Sequence, residues 1–354
     1  MRYCGHAWSG WEWKRRLFCR VGFPRIRGRL LGPMLAIAIA TWPELALADP
    51  RSPFSPITPQ ATTIANLFWF ILGIAGVIFV GVEGAIIYAT VAYRERPGRT
   101  PAQFRGSPRL EIAWTAVPAL ILAVIFVLTV QAMNALAVPT GDPLEITVRG
   151  HQWWWEFDYS QNNFVTANEF HVPVGQPVIL HLLSDNVIHS LWIPQINGKT
   201  DMIPGHERTM WFTPTRTGVF LGQCAEYCGV QHAWMNVRLV VQSEPDYAAW
   251  VRDQQQPAAP ATGLAREGEQ LFVTKTCVSC HAIAGTAAQG IAGPDLTHLG
   301  SRATIGAGVL TNTPANMARW LANPQEVKPG SLMPNLNLTS HEVSVLTAYM
   351  ESLK

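Results

Sequence analysis

Residues 222–235 read GQCAEYCGVQHAWM, and Cys224, Cys228, His232 and Met235 fall within twelve of those positions. Each of these side chains can ligate a metal. Upstream, SDNVIHSLW (184–192) supplies His189. Three simple readings compete. One is a disulfide, which an oxidising compartment permits. The second is a Cys₂His₂ zinc site built from His189, Cys224, Cys228 and His232. The third is a single blue copper, which takes one Cys, two His and a weak Met. The second cysteine exceeds what one copper needs. Two coppers can share two bridging thiolates, each copper completed by one His and one weaker ligand. Met235 and the backbone carbonyl of Glu226 would be those weaker ligands. The ligand set alone leaves binuclear copper and zinc both open.

Working outward, the metal-type loop sits in a segment of short β-rich runs, from LEITVRG (144–150) to MNVRLVVQ (235–242). Turn residues separate the runs at spacings typical of an all-β sandwich or barrel, which predicts one β domain over 139–243. Residues 244–262 then read as a flexible or partly extended linker ending in QQQPAAPAT (254–262). The remaining residues, 263–354, have helical character and contain CVSCH (277–281).

C-x-x-C-H is the attachment motif of a c-type haem. Cys277 and Cys280 would take the two vinyl groups, and His281 the iron. The sixth ligand should come from a distant methionine, since Met/His ligation sets a carrier-range potential. Met333 in GSLMPNL, on a proline-bounded turn, is the expected ligand, ahead of Met317 and Met350. A thioredoxin-like redox pair would need a βαβ pattern, and half a zinc site would need a second cysteine pair; neither is present in this segment. Arg302 is a candidate partner for a haem propionate, and His298 reads as loop packing.

On the other side of the β domain lie two apolar stretches long enough to cross a bilayer, about 62–92 and about 110–138, forming a hairpin over 61–138. Between them Arg94, Arg96, Arg99, Arg105 and Arg109 face a single acidic residue, Glu95. The positive-inside rule places that loop in the cytoplasm and the β and haem segments outside. Residues 1–48 carry eight Lys/Arg against two Glu, then an apolar run and ALA before Asp49. This is the pattern of a cleavable signal peptide, which would remove Cys4 and Cys19. The basic blocks flank apolar segments, and nothing forms a nucleic-acid footprint.

Several motifs together resemble subunit 2 of the haem–copper cytochrome c oxidases: LEIAWTAVPA (110–119), GHQWWWEFDY (150–159), VIHSLWIP (187–194), KTDMIPG (199–205) and the 222–235 loop. The resemblance covers about 61–243, and 263–354 resembles a fused class I cytochrome c domain through CVSCH and GPDLTHLGSR (293–302). It implies a multidomain membrane protein: a two-helix transmembrane hairpin, an all-β cupredoxin-like barrel and an all-α cytochrome c domain. It implies a dinuclear CuA centre on His189, Cys224, the Glu226 carbonyl, Cys228, His232 and Met235. It also implies Mg²⁺ near the Glu226 side chain at the boundary with subunit 1, electron input at Trp153 and a proton pathway at Glu111. WWW departs from the commoner Trp-Tyr-Trp at Trp154. Glu83, in the first span, has no such match.

The expected function is therefore electron transfer on the outer face of a bacterial inner membrane. Electrons would pass from haem c to CuA and on to a catalytic subunit that reduces O₂ to water and moves protons. The donor would be cytochrome c or an upstream respiratory complex. Neither span contains histidine, so the oxygen chemistry requires a His-bearing partner such as subunit 1. Alternatives are the copper subunit of a nitric oxide reductase and a membrane-tethered electron carrier. A copper metallochaperone would lack Met235, the tryptophan cluster and the haem segment.

Overall fold

The computed structural model describes residues 51–95, 97–98, 106–135 and 142–354. The expected signal peptide, and Arg96, Arg99 and Arg105 of the loop, lie outside the described residues, as do 136–141.

Helix α1 spans Pro59–Ala92 and α2 spans Pro108–Ala135. Thr58 caps α1 by accepting the Ala61 amide, and Pro59 takes the first turn, where no donor is needed. Both helices are apolar on all sides, with a mean hydropathy of 2.4 over the best window. At 1.5 Å per residue, α1 is about 51 Å long, well beyond the roughly 30 Å of a hydrocarbon core. Aromatic groups divide that length: Phe54, Phe68 and Trp69 cluster near one end, and Tyr88 meets Tyr93 at the other. Trp69 and Tyr88 are about 29 Å apart along the axis, a separation suited to two interfacial belts. The surplus first turn docks on the β domain, where the Ile57 amide bonds the Gln195 carbonyl and the Thr58 hydroxyl bonds that of Ile196.

The β domain is two five-stranded sheets. The first contains β1 (Leu144–His151), β2 (Trp154–Tyr159), β3 (Phe164–Ala167), β5 (Val178–Ser184) and β8 (Arg208–Phe212), in the order β3-β2-β1-β5-β8. The second contains β4 (Glu169–Pro173), β6 (His189–Trp192), β7 (Thr200–Met202), β9 (Gly218–Cys224) and β10 (Asn236–Gln242), in the order β4-β10-β9-β6-β7. Alternation along β1 and β10 sends every second residue inward. The shared interior is filled by Trp155, Phe157, Phe170, Leu180 and Phe212, all fully buried. Each such side chain contributes roughly 1.5–3 kcal/mol relative to exposure.

Residues 244–254 are not linker. They form helix α3 (Glu244–Gln254), capped by Ser243, with Pro245 in the first turn. Its Trp250 stacks on His171 of β4 at 4.2 Å, which gives the helix a tertiary anchor that its mixed sequence hides. The haem-type segment comprises α4 (Leu264–Thr274), α5 (Pro314–Ala322), α6 (Pro324–Val327) and α7 (Ser340–Ser352), with a small β11–β12 hairpin at 304–311. Helices α4 and α7 cross at Gly268, where any Cβ would collide with the Val345 carbonyl. A capping box starts α7: Thr339 accepts the Glu342 amide, and Glu342 accepts the Thr339 amide.

Candidate metal centre and haem cavity

His189 opens β6, Cys224 ends β9, and the loop from 225 to 235 returns to β10. Register brings the ends together, because Leu191 pairs with Cys224 and Asn236 pairs with Gln223. The Cys224 amide bonds the Met235 carbonyl, and the Ala225 amide bonds that of Ser190, which closes the loop on both strands.

The six candidate ligands meet around the two thiols. Cys224 Sγ lies 3.8 Å from Cys228 Sγ, 3.9 Å from His189 Nδ1 and 3.2 Å from the Glu226 carbonyl oxygen. Cys228 Sγ lies 3.8 Å from His232 Nδ1 and 3.9 Å from Met235 Sδ. Each sulfur thus has one imidazole and one weaker donor beside it, and the thiols themselves are free. His189, Met235 and both cysteines are buried. Hydrogen bonding from Cys228 draws the Cys224 thiol far below its ordinary range, and giving that bond, together with burial, pushes Cys228 up. Two soft donors, two imidazoles and a thioether in a dry site suit copper better than magnesium or calcium.

Sequence reasoning overlooked what orients His189. Its Nε2 is 3.0 Å from Asn186 Oδ1, which leaves Nδ1 for the metal side. The hint was proximity, since Asn186 lies three residues upstream. Gly150 has an equally local reason: a Cβ there would sit 2.9 Å from His189 Cδ2. Glu226 presents its carboxylate to Lys199 at 3.8 Å and is partly exposed. One carboxylate beside an ammonium does not by itself form a Mg²⁺ site on this chain.

Cys277, Cys280, His281 and Met333 all line a cavity of about 400 Å³. His281 Nδ1 donates to the Pro294 carbonyl at 2.8 Å, which frees Nε2 for a metal. Burial holds that imidazole below its ordinary range, as a neutral ligand requires. Gly293 has no room for a side chain, since a Cβ would meet the His281 ring at 2.7 Å. Arg302 is buried with its Nε unpartnered, while Nη2 donates to the Asp295 carbonyl at 2.7 Å. A buried guanidinium with one nitrogen unpartnered in this wall fits an acidic group inside the cavity, such as a haem propionate. Met317 and Met350 also line the cavity, but they belong to the helical core. His298 reaches the Gln254 and Gln256 carbonyls and packs the loop.

The cavity is not closed by the helical segment alone. Gln152, Trp153 and Trp154 of the β domain complete its wall. Trp153 Nε1 donates to the Cys228 carbonyl at 2.9 Å, and Gln152 Nε2 donates to the same oxygen at 2.7 Å. Glu111 lies in the first turn of α2, far along the chain from either site.

Known proteins align with each of the three parts of this architecture. The family described as cytochrome c oxidase subunit II, transmembrane domain, matches residues 53–131. Its periplasmic domain matches 161–243, and cytochrome c matches 265–354. Cytochrome c oxidase subunit 2 of Alkalihalophilus pseudofirmus is 35% identical over 321 residues, covering 88% of this chain and 91% of the relative. That of Bacillus sp. strain PS3 is 34% identical over 286 residues, covering 74% and 80%. That of Bacillus subtilis is 30% identical over 338 residues, covering 88% and 95%. The cysteine loop and CVSCH both fall inside the matched ranges, and they bring copper-binding and haem c-binding character with them. With identity sustained along nine-tenths of a relative, this membrane chain belongs to the cytochrome c oxidase subunit 2 family, in a form that carries its own cytochrome c domain.

Proposed function

We propose that this chain is the electron-input subunit of a bacterial cytochrome c oxidase, with covalent haem c and dinuclear CuA placed in series. When bound, the two groups supply reversible one-electron chemistry, and no substrate bond is broken on this chain. Cys277 and Cys280 would hold the haem covalently, and His281 and Met333 its iron. His189, Cys224, the Glu226 carbonyl, Cys228, His232 and Met235 would hold the coppers. Arg302 would neutralise a propionate, and the buried aromatic wall would keep water from both sites.

The observation that carries this reading is the double role of Trp153. Its residue lines the haem cavity while its indole N–H is bonded to the carbonyl of Cys228. On this reading Trp153 is the internal junction between the two sites, and a donor protein delivers to the haem-bearing domain. Helices α1 and α2 would hold the chain in the inner membrane beside a histidine-bearing, oxygen-reducing subunit 1, with both electron-carrying domains outside. Glu111, at the cytoplasmic end of α2, would serve proton uptake into that partner.

The test is the full chain in detergent with haem and copper supplied, studied by metal analysis and low-temperature EPR. Two coppers and one haem per chain, with hyperfine structure shared over two copper nuclei, are expected. Zinc, or a four-line pattern from one copper, would refute the binuclear assignment.

A further inference from the structure

Lys328 has an unusual position for a lysine. It follows α6 and is 4% exposed. Its Nζ donates to the Trp153 carbonyl at 3.1 Å, and no carboxylate among the described residues lies within ion-pair distance of it. A buried ammonium with a single neutral partner is costly, so a sequence that keeps one has a use for it there. Burial pulls Lys328 down to about 8, while the Cys228 thiol pulls the other way.

The surroundings define that use. Trp153 is gripped from both sides: its carbonyl takes Lys328, and its indole N–H reaches the Cys228 carbonyl. Two residues after Lys328, the chain turns at Gly330, with φ of +85°. A Cβ on Gly330 would sit 2.9 Å from Val230 Cγ2, so the segment leading to Met333 rests directly on the loop between Cys228 and His232. Elsewhere the seam is held through the backbone, where the Asn236 amide bonds the Ala307 carbonyl and the Ala303 amide bonds Glu169 Oε2 at 3.2 Å. Among the described residues, Lys328 supplies the one side-chain hydrogen bond from the haem-bearing side to a residue bonded to the copper loop.

We propose that Lys328 is a positioning residue that sets the register of the Met333 segment against Trp153 and thereby the coupling between the haem cavity and the copper loop. This rests on the haem-to-copper reading above. Lys328 lines the same cavity as Met333 but is hydrogen-bonded to none of the candidate ligands; it acts through Trp153.

The test uses the full chain loaded with haem and copper, comparing it with K328M and K328Q. Haem c is reduced by a light pulse, and its reoxidation by copper is timed. Both midpoint potentials, the haem spectrum and hydrogen exchange over 152–154 and 228–232 are read on the same samples. Both variants should slow internal transfer by about tenfold or more, the equivalent of losing one hydrogen bond to a charged group. Exchange in the two segments should rise, the haem spectrum should hold, and any shift in either potential should account for only part of the slowing. Transfer at the unsubstituted rate, or slowing fully accounted for by shifted potentials, overturns the proposal. Loss of haem from both variants does the same, since Lys328 would then be a folding residue. An unsubstituted chain that shows no internal transfer refutes the haem-to-copper reading itself.

Discussion

Trp153 and Cys228, seventy-five residues apart in sequence, are joined by a 2.9 Å hydrogen bond from the indole N–H to the peptide carbonyl. The bond links the wall of the haem cavity to the residue that contributes one of the two facing thiols. Its loss is testable without dismantling either site. In W153F the apolar wall remains, and Gln152 still donates to the same carbonyl. Removing one neutral hydrogen bond should cost only about 0.5–1.5 kcal/mol of stability. Copper and haem contents should stay full, and internal transfer timed by pulse reduction should slow several-fold. A rate equal to that of the unsubstituted chain would reduce Trp153 to wall packing.

Asn186 is expected to govern metal affinity from outside the ligand set. N186A frees the His189 ring, and loss of such an outer hydrogen bond typically weakens metal binding by about 10–100-fold. Competition against a copper chelator measures this directly. G150A should disturb the same ring sterically, because its new methyl would press on His189 Cδ2. An unchanged copper spectrum in G150A would mean that the strand can move aside.

The capping box of α7 predicts a stability effect confined to the helical segment. T339A removes the acceptor for the Glu342 amide and should destabilise by about 1 kcal/mol. Glu342 is also held down to about 2, first by its bond from Lys275 and then by the Thr339 amide. Urea unfolding followed through the haem band should shift for T339A, whereas copper spectra should not.

Lys328 makes stability depend on pH in a particular direction. Its folded value is about 8 against 10.5 in the unfolded chain, so between these values the unfolded state binds more protons. Its cost is therefore full below pH 8 and is relieved as pH rises toward 10.5. Relative to K328M, the unsubstituted chain should gain on the order of 2 kcal/mol across that window. Paired urea titrations at pH 7 and pH 10 check the sign, and a constant difference between the two proteins would contradict it.

Much of both candidate sites can be read along the chain because their candidate ligands are local. Cys224, Cys228, His232 and Met235 share one loop, and Cys277, Cys280 and His281 share one turn. The β runs were legible through their alternation, and the two helices through sheer apolar length. Long-range partners were not. Lys328 carries the charge of a surface residue, yet it is buried with its Nζ on the Trp153 carbonyl of the other domain. Helix α3 had a serine cap and a first-turn proline to announce it. Its weak apolar stripe gave no hint that Trp250 would find His171.

That helix changes the arithmetic of delivery. Because α3 is fastened to the β domain, only residues 255–263 remain between it and α4, and even these are pinned where the Ala258 amide bonds the Ala284 carbonyl. A carrier on so short a leash has a local concentration in the millimolar range or above, whatever its abundance in the cell. On the proposed route, the step between haem domain and copper loop is then first order, indifferent to dilution. With no diffusional encounter to steer, it should also be far less sensitive to ionic strength than capture of a free carrier.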